Sequence, residues 1–334
     1  MTWDLATVQF ASDMTACVLG MIFNSLLIVA IFKETDQNLR SYSYLLLASA
    51  SFDLFFSIVE FCTLHQLLSV SGVLVIMSHG FVERFLFPYV GPLLMIPHVF
   101  AANHGLLILV SQHHYRYRIV SGGDASVGVL IRDLSVTCGL GWLMAIMAWW
   151  GTVVSGRRGR EYYLDAVNSQ TFYKRAEEFY LYVSDQQDWI TTAYFKSSFW
   201  FTYICFGVSI FYALKSYLHV RSNGAMGNSR TERLQSQFTK SLIVQTLNTC
   251  IFALIPLSFS SIPMQFSNDS QLHGFITMIL ISWLSTANAI CTLSIVRSYR
   301  IYFFKLIGLE RFVHASVTVE VTGTSNHTAD TRTH

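Results

Sequence analysis

The chain has 334 residues, of which 52% are hydrophobic and 13% are charged, and its formal net charge at pH 7 is +2. Ordinary soluble domains carry about 25% charged residues, so this composition excludes a water-soluble protein. The small net charge also argues against nucleic acid or another polyanion as a partner.

Seven segments are long and apolar enough to cross a bilayer as helices, which takes about 20 mainly apolar residues. In chain order they are Met14–Phe32, Tyr42–Leu64, Pro92–His113, Leu134–Val154, Phe195–Tyr217, Leu242–Ile262 and Phe275–Val296. An eighth apolar stretch, Leu67–Met77, is too short and contains Ser71-Gly72, so we assign it to an outer loop. The predicted fold class is an all-α membrane protein, a bundle of seven transmembrane helices.

The distribution of positive charge predicts the orientation of the bundle. Most of the 22 Lys and Arg residues fall in the first, third and fifth connections and after the seventh segment. Positive charge marks the cytoplasmic face, so we expect the N-terminus outside and the C-terminus in the cytoplasm. The predicted divisions are a short extracellular N-terminus without a cleaved signal (1–13), the transmembrane domain (14–296), a juxtamembrane amphipathic helix (297–314) and a disordered, Thr- and Ser-rich cytoplasmic tail (315–334).

The third segment ends in the unusual stretch SQHHYRYRIV (Ser111–Val120). A metal site, a nucleic-acid contact and the exit of a helix from a bilayer are three possible interpretations. Adjacent histidines such as His113 and His114 point about 100° apart on a helix, which disfavours a metal site. Tyrosines sit well at lipid headgroups and Arg118 can reach lipid phosphates, so we favour a helix leaving the membrane at its cytoplasmic face.

All six cysteines fall inside predicted helices. None lies in a predicted outer loop, so we expect no disulfide between the outer connections. Buried single cysteines in apolar helices usually act as small packing residues.

Five stretches together resemble the nematode serpentine seven-transmembrane chemoreceptors, which are G-protein-coupled receptors, and most of all the Str-like branch. They are Tyr115-Arg116-Tyr117, FNSLLI (Phe23–Ile28), LRSYSYLLLASASFDLFFS (Leu39–Ser57), QFTKSLIVQTLN (Gln237–Asn248) and SIVRSYRIYFFK (Ser294–Lys305). The resemblance implies an odorant or chemical sensor in the plasma membrane of sensory neurons, within their cilia. It also implies that Tyr115, Arg116 and Tyr117 couple to a heterotrimeric G protein.

The chain departs from that pattern at three places. Thr249 stands where such receptors usually carry a proline after the residue equivalent to Gln245, although Pro256 and Pro263 still interrupt the sixth segment. Tyr115 replaces the acid that precedes the arginine in rhodopsin-type receptors. Their seventh-helix Asn-Pro-x-x-Tyr motif is only echoed here, by residues 288–292.

A charged side chain is costly at mid-bilayer, so a carboxylate within a predicted span should face the interior of the bundle. Asn24, Asp53 and Asn288 form a candidate intramembrane switch, which either holds a cation or fixes the first, second and seventh helices to one another. Glu60 lies nearer the outer end of the second segment, and we expect it to reach water.

A ligand pocket is expected among the outer halves of the third, fifth, sixth and seventh helices, where an aromatic and weakly polar cavity suits a small molecule. The candidate residues are His98, Ala102, Asn103, Phe199, Trp200, Tyr203, His273 and Met278. The long loop Ser155–Thr192 is either a helical lid or a solvated connection. Asn268 begins a glycosylation sequon close to the bilayer.

The leading hypothesis is a G-protein-coupled chemosensory receptor whose partners are a small chemical ligand, a G protein and membrane lipids. The alternatives are a seven-helix ligand-gated channel, a transporter, or a receptor-like protein that no longer signals. We predict no cofactor and no metal, and we do not expect an enzyme, because no nucleophile–base pair shares a helix face.

Overall fold

The computed structural model describes residues 5–35, 40–70, 73–78, 80, 91–155, 160–168, 180–185, 188–222, 230–259 and 271–309. The elements in chain order are α1 (Leu5–Glu34), α2 (Arg40–Thr63), β1 (His65–Val70), β2 (Val73–Ser78), α3 (Gly91–Val120), α4 (Val127–Ser155), α5 (Arg160–Asn168), β3 (Tyr180–Asp185), α6 (Trp189–Ser222), α7 (Arg230–Thr249), α8 (Gln271–Ile295) and α9 (Arg297–Leu306). The sequon at Asn268, Pro263 and the tail from residue 310 lie outside the described residues.

Seven of these helices, namely α1 to α4 and α6 to α8, are long and apolar enough to cross a membrane. Their outward faces carry large apolar side chains such as Ile131, Leu143, Ile204 and Phe259, each more than half exposed. Contiguous apolar surface of this kind needs lipid around it, while each helix satisfies its own backbone hydrogen bonds. The prediction of a seven-helix bundle is confirmed, and the orientation of its termini stays a prediction.

The helix bounds differ from those that hydropathy alone gives. Helix α1 begins at Leu5 rather than Met14, and its first half buries Gln9 and Asp13 almost completely. Both residues are polar, so a search for apolar runs places the start of this segment too late in the chain. All six cysteines lie in the described helices, as predicted, and they are free thiols there.

A three-stranded antiparallel sheet closes one end of the bundle, which we call the sheet end. Strands β1 and β2 pair with His65 opposite Ser78, and β2 pairs with β3 with Val75 opposite Val183. The sequence assigned Leu67–Met77 to an outer loop and did not predict that this connection forms the strands β1 and β2. All six residues of β2 are buried, and a short apolar run rich in β-branched residues is typical of a strand covered on both faces.

The sheet is held between helices on both of its faces. One face packs Val75 and Met77 against Tyr163 of α5. The other face packs Leu74 and Ile76 against α3 and α4. The loop that was expected to be a helical lid or a solvated connection therefore contributes both a helix, α5, and a strand, β3.

The helix α7 continues past Thr249 with a changed hydrogen-bonding pattern, and from here on the label α7 includes this continuation, up to residue 259. A π-helical turn covers Cys250–Leu254, and the Ile255 amide donates to the Cys250 carbonyl. Pro256 follows directly and has no amide hydrogen to donate. The helix then continues to residue 259. Such turns are frequent at functional sites in helices.

The short helix α9 folds back against α1. The hydroxyls of Thr35 and Tyr299 lie 2.9 Å apart, and the Lys33 ammonium lies 5.7 Å from the Tyr302 ring centre. Burial raises the pKa of Tyr299 to about 12. These contacts hold α9, which follows the seventh span, against the end of α1 that lies opposite the sheet.

Candidate ligand cavity and polar network

A cavity of about 200 Å³ lies under the sheet, between α2, α3, α6, α7 and α8. The roof includes Leu67 of β1, Ile76 of β2 and Ser184 of β3. Clefts for drug-sized ligands measure about 300–1,000 Å³, so this cavity suits a smaller molecule. Its position makes the sheet the cover of the cavity.

The cavity wall is mainly apolar and aromatic, with a few polar groups. His98 and Asn103 of α3 contribute polar atoms, and the Asn103 amide also donates to the Val99 carbonyl at 2.9 Å. The hydroxyls of Tyr203 and Ser258 lie 2.5 Å apart and join α6 to α7. A small number of polar groups on an apolar wall can orient a small ligand through hydrogen bonds, so the ligand need not be charged.

Most of the residues that the sequence proposed for the pocket line this cavity. They are His98, Ala102, Asn103, Phe199, Tyr203 and Met278. Trp200 does not line it, because its side chain points outward and is 65% exposed. His273 is also exposed and lies off the lining. Sequence reasoning missed the contribution of α2, through Phe52, Asp53 and Phe56, and that of the sheet.

Asp53 lies at the floor of the cavity and begins a polar network. The Asn288 amide donates to the Asp53 carboxylate at 3.4 Å. The Asn24 amide donates to the Ser285 hydroxyl at 3.0 Å, and that hydroxyl lies 2.9 Å from the Asp53 carbonyl. The three predicted switch residues are thus joined across α1, α2 and α8, with Ser285 as the link that the sequence did not indicate.

The network continues along α7 and α8, away from the sheet. The Asn248 amide donates to the Asn288 side-chain oxygen at 3.2 Å. One turn further on, the Gln245 amide donates to the Thr292 hydroxyl at 3.0 Å, and Ser241 lies 3.1 Å from the same hydroxyl. These contacts give α7 and α8 a defined register from the cavity floor towards the opposite end of the bundle.

Arg116 lies buried at that opposite end, with only 4% of its surface exposed. Its guanidinium donates to the Thr239 hydroxyl of α7 at 2.6 Å and lies 4.8 Å above the Tyr42 ring of α2. Tyr42 in turn stacks on Phe238 with ring centres 5.4 Å apart. A hydroxyl and an aromatic ring therefore hold this arginine, and α7 covers the guanidinium.

The two tyrosines beside Arg116 point in different directions. Tyr115 is fully buried, and its hydroxyl donates to the Ala125 carbonyl at 2.6 Å. Tyr117 lies under the Lys215 ammonium of α6 at 5.5 Å. Tyr115 thus anchors the connection after α3, and Tyr117 contacts α6.

The adjacent histidines His113 and His114 have separate partners. His113 Nε2 lies 2.7 Å from the Thr246 hydroxyl of α7, whereas His114 Nδ1 lies 2.6 Å from the Asp133 carboxylate of α4. The two imidazoles therefore bind different helices.

A second group of ionisable residues lies at the sheet end. Glu60 of α2 was expected to reach water, but it is buried, with His98 Nδ1 3.0 Å from its carboxylate. That expectation was wrong because the sheet covers the end of α2. His65 of β1 packs edge-on against the His98 ring, and burial holds the pKa of His65 well below its usual range, so its imidazole is neutral.

The bundle with its covered cavity and buried arginine has the architecture of a seven-transmembrane receptor. The structure of squid rhodopsin is similar to it, with a TM-score of 0.61, 11% sequence identity, and coverage of 90% of this chain and 85% of rhodopsin. At this identity the similarity concerns the fold alone.

The sequence identifies the family. The family model described as serpentine type 7TM GPCR chemoreceptor Str matches residues 9–304, and the chain belongs to this family. Serpentine receptor class delta-2 of Caenorhabditis elegans is 32% identical to it over 121 residues. That alignment covers 35% of this chain and 32% of the relative, so it spans about a third of the relative's length. The protein is therefore a multi-pass membrane protein of a receptor family.

Proposed function

We propose that the protein is a G-protein-coupled chemosensory receptor that binds a small odorant or water-soluble compound in the cavity under the sheet. The observation that carries this proposal is the polar network that runs from the cavity floor at Asp53 along α7 and α8 to Ser241, two residues from Thr239, the hydrogen-bond partner of Arg116. A ligand can change signalling only if it binds one arrangement of the helices more tightly than the other. Three helices that line the cavity, α2, α7 and α8, are connected by this network, and the hydrogen bond from Arg116 to Thr239 joins α3 to α7 at the opposite end.

The conformation described here is the resting one in this proposal, because α7 covers Arg116. Ligand binding under the sheet shifts α7 and α8, separates Thr239 from Arg116 and opens a cleft in which the guanidinium meets a heterotrimeric G protein. An arginine suits this role, since its planar, permanently charged group makes several directed hydrogen bonds. The sheet end then faces outside, and the Arg116 end faces the cytoplasm.

The proposed location is the plasma membrane of chemosensory neurons, within the cilium. Arg118 donates to the Asp124 carbonyl at 2.8 Å and is partly exposed at the end of α3. In this orientation it lies at the cytoplasmic headgroups, where basic side chains attract anionic lipid.

A compound screen on the expressed receptor, measured by G-protein activation, tests the proposal. The panel contains volatile and water-soluble compounds, and cells that express Arg116→Ala and Arg118→Ala variants serve as matched controls. We expect at least one compound to activate the wild type and the Arg118→Ala variant but not the Arg116→Ala variant, with all three at the cell surface. Equal, mild effects of the two substitutions would contradict a coupling role for Arg116.

A further inference from the structure

Three potential metal ligands from three different elements converge at the sheet end. They are Glu60 in the last turn of α2, His65 at the start of β1 and His98 in α3, and their exposed fractions are 1%, 0% and 8%. Their ligand atoms all lie within 4.8 Å of one another. The rings of His65 and His98 have centres 4.0 Å apart and cross at 77°. This cluster is separate from the polar network around Asp53.

A strained turn brings His65 to Glu60. Helix α2 ends at Thr63, and Leu64 adopts the left-handed conformation with φ 42°, while its amide donates to the Glu60 carbonyl at 2.7 Å. A bulky residue rarely takes this conformation, which costs about 1–3 kcal/mol. The turn is fastened by the Gly80 amide, which donates to the Thr63 carbonyl at 2.8 Å. Strain that the surrounding structure maintains is often found at functional sites.

The donor set matches known metal chemistry. Two imidazoles and one glutamate carboxylate form a three-ligand set for Zn²⁺ that leaves a fourth coordination position open. Tetrahedral bonds of about 2.0–2.2 Å place donor atoms about 3.3 Å apart, close to the 3.0 Å between His98 Nδ1 and the Glu60 carboxylate. All three ligand atoms lie within 4.8 Å of one another, so small rotations of the side chains are enough to bring them to this spacing.

We propose that Glu60, His65 and His98 form a Zn²⁺ site that fastens the sheet to α2 and α3. His98 also lines the cavity, so the metal lies beside the space under the sheet. The fourth coordination position takes water or a donor atom of a molecule in the cavity. Such a metal holds the cover of the cavity in place, because its ligands belong to the cover and to two walls.

The full chain, purified with a tag that lacks histidine and placed in lipid nanodiscs, tests the site directly. Zn²⁺ binding is measured by competition with a chromophoric chelator, and Co²⁺ substitution reports four-coordinate geometry through its visible absorption. We expect one metal ion per chain. We also expect Glu60→Gln and His98→Ala each to lower the affinity by at least about tenfold, since the removal of even an indirect ligand partner costs about 10–100-fold.

Two further variants separate metal binding from packing. His104 lies on the same helix as His98, is 1% exposed and stacks on Phe100, so His104→Ala removes an equally buried imidazole outside the cluster. We expect it to keep Zn²⁺ affinity. His98→Cys should also keep it, because a thiolate is a good zinc ligand.

Zn²⁺ affinities are compared only among variants that unfold cooperatively on heating, since these are the variants that are folded. Absence of saturable Zn²⁺ binding by the wild type would overturn the proposal, and so would binding that is undiminished in Glu60→Gln. Glu60→Gln preserves side-chain size, so it decides the question alone if His98→Ala does not fold. The binding assay needs no activating compound, so its result is independent of the proposed signalling function.

Discussion

Asp53 is the residue at which the cavity and the polar network meet. We expect Asp53→Asn to lower basal signalling or ligand potency by at least about fivefold, within the range of typical coupling free energies. A carboxylate in the bilayer costs at least about 2.5–3.5 kcal/mol, and an amide removes that cost from the closed bundle while it can still bond Asn288. Dose–response curves at matched surface expression measure the effect, and curves that superimpose on the wild type would contradict a switching role.

Thr239 holds the resting arrangement through its hydrogen bond to Arg116. We expect Thr239→Val, which keeps the shape and removes the hydroxyl, to raise basal G-protein activation by about tenfold. A hydrogen bond to a charged group contributes about 1.5–3 kcal/mol, and 1.4 kcal/mol changes an equilibrium tenfold.

Thr249 offers a matched control on the same helix. Its hydroxyl donates to the Gln245 carbonyl of its own helix at 2.9 Å, as the Thr239 hydroxyl does to the Gln235 carbonyl, but it makes no contact with Arg116. Thr249→Val should leave basal activation near the wild-type level. If both valine variants raise it equally, the Arg116 contact is not the restraint.

Members of the polar network were predictable from the sequence where they are Asn or Asp, which are rare in apolar helices. They were not predictable where they are Ser or Thr, which are common there. Asn24, Asp53 and Asn288 stand out because amides and carboxylates are costly in lipid, and the structure joins them. Ser285 and Thr292 could not be singled out, because serines and threonines often bond their own helix and many do so here. Their interhelical contacts depend on rotation of the helices, which a single sequence does not show.

At the scale of elements, the close contact between α8 and β1 positions the sheet. A Cβ atom on Gly274 would overlap the Leu67 carbonyl oxygen, so either the strand or the helix must move if this glycine is replaced. We expect Gly274→Ala to destabilise the folded protein by about 1–3 kcal/mol, as overpacking does, and to lower the melting temperature in detergent.

Gly207 of α6 is the control for this change, since a Cβ there meets nothing within 4 Å. Gly207→Ala should leave the melting temperature unchanged or raise it, because alanine favours a helix by about 1 kcal/mol. A Gly274→Ala variant that melts no lower than Gly207→Ala would mean that α8 and β1 are not closely packed.

The helices were predictable because each span is a long apolar segment, whereas the sheet was not. Strands β1 and β2 are short. From composition alone, the run Val73–Met77 could be a buried strand or part of a short apolar helix. The third strand of the sheet, β3, belongs to a polar loop more than a hundred residues further along the chain. No local sequence pattern therefore predicts that β3 pairs with β2. The prediction for Trp200 was wrong because residues three apart on a helix lie near the same face, and Tyr203 does line the cavity. The Trp200 side chain nevertheless faces outward.

At the scale of the whole molecule, the proposed function requires the sheet end to face outside. A tag at Thr2 should be stained on intact cells, and a tag after His334 should be stained only after permeabilisation. Most Lys and Arg residues lie in the connections assigned to the cytoplasm, which is the physical reason. The reverse pattern would contradict the receptor topology and favour a channel with its N-terminus inside.

The most direct test of the account is the response of two variants to the compound that activates the wild type most strongly. Ala102 lines the cavity and Trp200 faces outward from the same end of the bundle. We predict that Ala102→Phe, which fills the cavity, lowers potency in the G-protein assay by at least about tenfold, while Trp200→Ala responds like the wild type. An unchanged response of Ala102→Phe at normal surface expression would contradict the claim that a ligand under the sheet drives signalling.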